Sequence, residues 1–247
     1  MVQENWNMFY PNYKEGNIHS NTIQAKEITE NSSKFYLIIP QMLGEEEMPP
    51  PVVKSVKDLI FWQYAKIIAE SAGFGKKNYG FVMKKFRQLK EGEIFWNKIR
   101  EYIKEKERKD ECIFCGAKTN LTIDHMLPRC YNGPDDEKNV IWVCKKCNSS
   151  KGSKRLYEFW TVKKGLKGAK YEVPRIAEGK YLKLVYEILK EKNLLDLDSN
   201  KIKTQICPKC DIKQLCVKEK SQGKLYPLCL DGILTLCFQG NNKITVN

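Results

Sequence analysis

The chain has 247 residues, of which 42% are hydrophobic and 30% are charged, and its formal net charge is +13 at pH 7. This is enough for one substantial core or two modest domains, and no run approaches the roughly 18 apolar residues that cross a bilayer. Because the first ten residues also lack the blocks of a signal peptide, we expect a soluble cytoplasmic protein without membrane contact. Its basic surface favours nucleic acid as a partner.

The first part of the chain is predicted to be a polar tail, a linker and a helical domain. Residues 1–51 hold one short apolar run, at 35–39, which predicts a strand, and they end in three prolines that neither a helix nor a central strand accommodates. Between residues 52 and 109, apolar residues at helical spacing predict three helices, centred on 56–68, 81–89 and 95–103. Their apolar faces favour a small helical bundle; a DNA-reading helix within it is the alternative.

Most of the ten cysteines form two clusters built around Cys-x2-Cys pairs. In the absence of a secretion signal, such pairs favour a metal ion over disulfides, because two thiolates separated by two residues can bind one tetrahedral ion. The first cluster contains two pairs and predicts a closed structural zinc site with no open position for water. Its four cysteines are Cys112, Cys115, Cys144 and Cys147.

The polar residues of a candidate active site lie between and just after these pairs. Residues 121–123 are β-prone and lead to Asp124 and His125, residues 128–138 have the composition of a loop, and residues 140–143 predict a second strand. A helix is predicted to begin within residues 144–155. Strand, loop, strand and helix in this order would bring His125, Asn139 and Asn148 close together.

This segment resembles the HNH endonucleases, ββα-metal nucleases whose core is often held by two Cys-x2-Cys pairs. Asp124 and His125 match the first motif of the family, Asn139 matches its middle asparagine, and Asn148 matches the last position. The ending from Cys147 to Lys151 also fits. The resemblance covers residues 112–155, and the rest of the chain offers no comparable match.

The resemblance implies hydrolysis of phosphodiester bonds in DNA, most naturally double-stranded DNA, with products that carry a 5′ phosphate. His125 would be the general base, since a neutral imidazole can take a proton from water. Asp124 and Asn148 would hold one Mg²⁺ or Mn²⁺ ion, which would polarise the phosphate and stabilise the leaving oxygen. Asn139 would hold the loop and orient the ring of His125. Restriction, phage and mobile-element biology are the settings we expect.

Two alternatives stay open: a non-catalytic zinc-containing protein that binds nucleic acid, and a nuclease directed to RNA. Either would use the basic stretch after Asn148, where Lys151, Lys154 and Arg155 are the predicted phosphate contacts and Lys151 is the first candidate. A solvated lysine-rich face is the plainer interpretation of this stretch. His19, the other histidine, is not expected to take part in catalysis.

The second cysteine cluster has the pattern C-x2-C-x5-C-x12-C, formed by Cys207, Cys210, Cys216 and Cys229. A second structural zinc is the first interpretation, an iron–sulfur cluster is the alternative because thiolates bind both, and simple buried thiols come third. Cys237 lies in an apolar run and is expected in the core.

The sequence therefore predicts an α+β protein with an N-terminal helical region, a central ββα-metal module, and a C-terminal helix with a cysteine-rich metal-binding extension. Four segments are expected: a tail and linker (1–51), a helical domain (52–109), the HNH nuclease module with its zinc site (110–160), and a basic helical segment with the second cysteine cluster (161–247). An amphipathic helix is predicted at residues 176–195 within the last segment.

Overall fold

The computed structural model describes residues 50–76, 78–95, 109–167, 172–216 and 225–238, with only the backbone for residues 164–167. The chain divides into two units, residues 1–40 and 41–247, and every described residue belongs to the second. The strand predicted at residues 35–39 and nearly all of the third predicted helix lie outside the described residues. Helices and a two-stranded antiparallel sheet make up the described part, which confirms the α+β fold class.

The elements follow one another in the order that the sequence pattern predicts, with two additional helices. They are α1 (Val56–Ser71), α2 (Tyr79–Lys90), β1 (Leu121–His125), β2 (Val140–Cys144), α3 (Lys145–Lys151), α4 (Leu156–Lys167), α5 (Arg175–Glu191) and α6 (Leu228–Phe238). Short helical turns lie at Arg129–Tyr131, Ser199–Lys201, Ile202–Ile206, Cys207–Lys209 and Lys213–Leu215. No helix in the described ranges has both the length and the apolar character needed to span a membrane.

Helix α1 is the centre of the N-terminal part of the core. It begins with a capping box, in which the side chain of Ser55 accepts from the backbone of Asp58 and the side chain of Asp58 accepts from the backbone of Ser55. It ends at Ser71, before Gly73, whose φ of +81° only glycine adopts readily. Aromatic pairs with centroids 5.8 Å apart join α1 to α2 through Phe86 and to α5 through Tyr186.

Helices α4 and α5 hold the small sheet in place. Phe114, in the turn before β1, packs on Phe159 and Trp160 of α4 with ring centroids 5.5 and 5.7 Å away. From α5, Lys180 Nζ donates a hydrogen bond of 2.7 Å to the carbonyl oxygen of Val140 in β2. The two strands and α3 are thus supported by helices that lie later in the chain.

Candidate active site and metal centre

The two strands and α3 form a compact ββα unit. In the antiparallel register, Leu121 pairs with Cys144 and His125 pairs with Val140. Because successive strand residues point to opposite faces, Asp124 is buried at 5% exposure while the neighbouring His125 reaches partly into solvent. Helix α3 starts directly after β2 and contacts both strands, so its polar side chains return to the end of β1.

The two Cys-x2-Cys pairs of the first cluster, Cys112, Cys115, Cys144 and Cys147, form a group that fits a single metal ion. Their sulfur atoms all lie within 4.8 Å of one another, and the Sγ atoms of Cys115 and Cys144 are 3.7 Å apart. A tetrahedral zinc ion with Zn–S bonds of about 2.3 Å places its sulfur ligands about 3.8 Å apart. The turn that presents Cys112 and Cys115 closes at Gly116, whose φ is +73°, and Ile113 N donates to the carbonyl oxygen of Trp142 in β2. The cysteine group therefore joins the turn, the sheet and α3.

The acidity of these thiols matches a metal-binding role. The backbone N–H of Cys147 donates to Cys144 Sγ at 3.4 Å and lowers the pKa of the Cys144 thiol to about 7. Burial raises the pKa of Cys147 and of Cys115. Cysteine binds metal ions as the thiolate, so a cation in this group would displace the thiol protons.

The carboxylate of Asp124 has one satisfied and one unsatisfied oxygen. Its Oδ1 accepts from Lys151 Nζ at 3.1 Å, whereas its Oδ2 is buried and has no hydrogen-bond partner among the described residues. Burial raises the pKa of Asp124, and the charge of Lys151 opposes this rise. A buried carboxylate oxygen without a partner is costly, and it is the type of atom that a hard divalent cation binds.

Asn148 lies against the same end of β1. Its Nδ2 donates to the carbonyl oxygen of Ile123 at 3.2 Å, so its Oδ1 remains available as an acceptor. One turn later on α3, Lys151 Nζ donates to the carbonyl oxygen of His125 at 2.6 Å. Two anchors on one face of α3 therefore fix this helix to the three residues that end β1.

The imidazole of His125 contacts a residue that the sequence analysis did not select. Its Nε2 is 2.8 Å from Asp135 Oδ1, and Asp135 Oδ2 accepts from Arg129 at 2.6 Å. The hydrogen bonds from Arg129 and then from His125 lower the pKa of Asp135. A carboxylate can only accept here, so Nε2 carries the proton and Nδ1 is the basic atom of the ring. In the sequence, Asp135 is an ordinary aspartate in a loop ten residues after His125. Such aspartates are too common for the sequence to indicate this contact.

Asn139 is wholly buried and holds the loop between the strands. Its side chain accepts from Leu127 N at 2.9 Å and donates to the carbonyl oxygens of Leu127 and Pro134, both at 2.8 Å. Gly133 lies beside this contact, and an added Cβ there would clash with the carbonyl oxygen of Leu127. The loop that carries Asp135 is thus closed by one asparagine and one obligatory glycine.

The predicted phosphate contacts occupy different environments. Lys151 and Arg155 are both 0% exposed and bind carboxylates: Lys151 binds Asp124, and Arg155 binds Asp211 at 2.8 Å. Lys154 is half-buried. The two fully buried cations do not offer their charges at the surface, and their geometry assigns them to internal ion pairs.

Comparison with known proteins agrees with the geometry of this segment. The family model described as HNH endonuclease matches residues 112–154. A search of curated proteins and a search of solved structures found no match to the chain. The matched residues coincide with the strands, the loop, α3 and the four-cysteine group, and they include His125, Asn139 and Asn148. Residues 112–154, the HNH module, thus match the HNH endonuclease family in sequence and contain a four-cysteine group that can hold a metal ion.

Proposed function

We propose that the protein is a divalent-metal-dependent endonuclease that hydrolyses phosphodiester bonds in DNA. The observation that carries this proposal is the buried Oδ2 of Asp124, which has no hydrogen-bond partner among the described residues. Asp124 lies at the end of β1, between His125 and the Ile123 carbonyl that Asn148 binds. A protein whose only metal is a structural zinc ion would not need this oxygen as a ligand, because the four thiolates that can hold the zinc lie elsewhere in the module. A second, harder cation would satisfy it.

The donor atoms fit Mg²⁺ or Mn²⁺. Asp124 Oδ2 and Asn148 Oδ1 are oxygen ligands, which these cations prefer over nitrogen and sulfur. When bound there, the cation would supply polarisation of the scissile phosphate and charge stabilisation for the departing oxygen. The four-cysteine group would hold zinc, whose role is to fix the turn before β1 against α3.

His125 is the proposed general base. Asp135 holds Nε2–H, so Nδ1 has a lone pair that can take a proton from the attacking water. The same carboxylate would stabilise the imidazolium that results, as an orienting acidic partner does for a catalytic histidine in general. Asn139 would position this pair indirectly, because it closes the loop that carries Asp135.

DNA is the proposed substrate because of charge. The net charge of +13 favours a polyanion, and phosphate contacts dominate nonspecific affinity for DNA. Near the module, Arg129 is largely exposed, Lys145 and Lys146 at the start of α3 are exposed, and Lys154 is half-buried. These four residues, rather than Lys151 and Arg155, are the proposed phosphate contacts.

The test is plasmid cleavage by the purified full chain with Mg²⁺ or Mn²⁺, beside His125→Ala. We expect the wild type to nick or linearise the plasmid, and the variant to lose about 10²–10⁴-fold in rate, as expected for the loss of a general base. Binding to the same DNA, measured by gel shift in Ca²⁺, should be retained. His19→Ala is the matched control, since it removes the other histidine, and it should cut like the wild type.

Three outcomes of these assays would each contradict a different part of the proposal. A wild type that binds DNA without cutting it under any divalent cation contradicts the nuclease proposal and favours a non-catalytic zinc protein. A nuclease whose His125→Ala form cuts at the wild-type rate contradicts the assignment of the base. A single-stranded RNA and a DNA of the same sequence, assayed in parallel, distinguish the substrate, and faster cleavage of RNA would overturn the DNA assignment.

A further inference from the structure

The second cysteine set lines a pocket at the C-terminal end of the described chain. Four sulfur-bearing residues come from three segments: Cys207 and Cys210 from one helical turn and its end, Cys216 from the end of the next, and Cys229 from the first turn of α6. These four residues line a small cavity that is partly open to solvent. Its remaining lining consists of aliphatic side chains, one tyrosine and one glycine, with no charged group among them.

The spacing of these sulfur atoms differs from that of the first set. In the described part of the chain, the sulfur atoms of Cys112, Cys115, Cys144 and Cys147 all lie within 4.8 Å of one another, whereas no three sulfur atoms of the second set approach one another so closely. A single zinc ion needs its sulfur ligands about 3.8 Å apart, since each Zn–S bond is about 2.3 Å. The first set meets this requirement, whereas the sulfur atoms of the second set are more widely spaced.

We propose that Cys207, Cys210, Cys216 and Cys229 bind an iron–sulfur cluster. In such a cluster the four thiolates bind different iron atoms or opposite ends of a two-iron unit, so they stand farther apart than the ligands of one ion. The inorganic sulfides fill the space between them, and an apolar lining without competing charges suits this occupant.

Two local contacts are consistent with a cluster in this pocket. Gly232 of α6 faces Cys210, and an added Cβ would lie 2.7 Å from Cys210 Sγ, so glycine here leaves room for the sulfur to point inward. The hydroxyl of Tyr226 donates to Cys216 Sγ. Hydrogen bonds to the ligand sulfurs are among the ways in which proteins stabilise and tune iron–sulfur clusters.

The experiment measures iron, acid-labile sulfide and zinc in the full chain, purified without oxygen from cells supplied with iron. We expect about one zinc per chain together with about two or about four iron atoms and an equal amount of sulfide. The protein should also show visible absorption that bleaches on reduction with dithionite. About two zinc ions per chain with no sulfide, or one zinc and an empty second site, would overturn the proposal whatever the outcome of the cleavage assay.

Single-cysteine variants assign the two metals to their sites. Cys216→Ser should lose iron and sulfide but keep zinc, whereas Cys115→Ser should lose zinc and keep the cluster. Cys237→Ser is the matched control, because Cys237 lies on α6 but outside the pocket lining, and it should keep both. Retention of the full iron and sulfide content by Cys216→Ser contradicts the assignment. The zinc content of that variant shows whether its HNH module is still folded.

Discussion

Lys151 and Asp124 form a buried ion pair where the sequence pattern favours a phosphate contact and a metal ligand. Both side chains are nearly inaccessible to solvent, and Lys151 Nζ also donates to the carbonyl oxygen of His125. Burial lowers the pKa of Lys151, and the charge of Asp124 opposes this change. Each charged group depends on the other for its stability in the core, because removal of one partner leaves an uncompensated buried charge.

Lys151→Met should therefore affect stability more than DNA affinity. We expect a loss of about 3 kcal/mol in the free energy of unfolding, measured by urea denaturation without added magnesium. Lys154→Met, at the half-buried neighbouring lysine, should change it by less than about 0.5 kcal/mol. The effects on DNA binding should be the opposite. Lys154→Met should reduce the salt dependence of DNA affinity relative to the wild type, whereas Lys151→Met should leave it unchanged. A Lys151→Met protein of wild-type stability that binds DNA weakly would show that Lys151 contacts phosphate instead.

The loop between β1 and β2 is the element on which the geometry of the candidate site depends most. It carries Arg129 and Asp135, and Asn139 closes it through three side-chain hydrogen bonds. At Gly133 the nearest atoms to an added Cβ belong to the backbone of Leu127, so they cannot move aside as a flexible side chain would. The cysteine group lies at the opposite ends of the strands and is independent of this contact.

Gly133→Ala should consequently disturb the β1–β2 loop without affecting the four-cysteine group. We expect a loss of about 2 kcal/mol in the free energy of unfolding and a large fall in cleavage rate, while zinc per chain stays at the wild-type value. Gly80→Ala is the matched control, since its Cβ would find no atom nearer than 3.9 Å and alanine favours helix α2 by about 0.5 kcal/mol or more. Wild-type cleavage by Gly133→Ala would show that the loop does not position His125.

Local patterns predicted most of the described elements, whereas contacts distant in sequence were beyond their reach. Alternating and helical spacing indicated β1, β2, α1, α2 and α5, because each of these periods is a property of its own segment. Helix α4 was missed: its lysines suggested a nucleic-acid-binding stretch, and the aromatic partner of its buried face, Phe114, lies far earlier in the chain. The candidate catalytic residues followed from motif spacing, but the contact between His125 and Asp135 did not.

Arg155 connects the HNH module to the C-terminal cysteine segment. Its guanidinium lies 4.6 Å from the ring centroid of Tyr131 in the β1–β2 loop and donates to both carboxylate oxygens of Asp211. It also donates to the carbonyl oxygen of Asp231 in α6 and pairs with Glu158 in α4. Its partners Asp211 and Asp231 lie 56 and 76 residues away in sequence, so no local pattern could have indicated that it is buried.

Asp231 is the fully buried carboxylate near Arg155, and it shares this guanidinium with the more exposed Asp211 and Glu158. Burial raises its pKa to about 7, against the opposing effects of the Tyr181 hydroxyl, Arg155 and the backbone N–H of Glu158. In the unfolded chain the pKa would be near the ordinary 3.8. Between these two values the native protein holds a proton that the unfolded chain releases, so stability from this group falls as the pH rises and levels off above about pH 7.

Asp231→Asn should remove this pH dependence, because an amide does not titrate. We expect the free energy of unfolding of the variant, relative to the wild type, to rise between about pH 5 and pH 7 by at most about 1.4 kcal/mol per pH unit, and then to stay constant. Urea denaturation at several pH values, with the metals retained, measures the difference and cancels effects common to both proteins. Asp196→Asn, at an exposed aspartate, is the matched control and should show no such trend. If the difference in free energy of unfolding between Asp231→Asn and the wild type does not vary with pH, Asp231 is ionised throughout this range. Arg155 would then stabilise the Asp231 carboxylate more strongly than its contacts indicate.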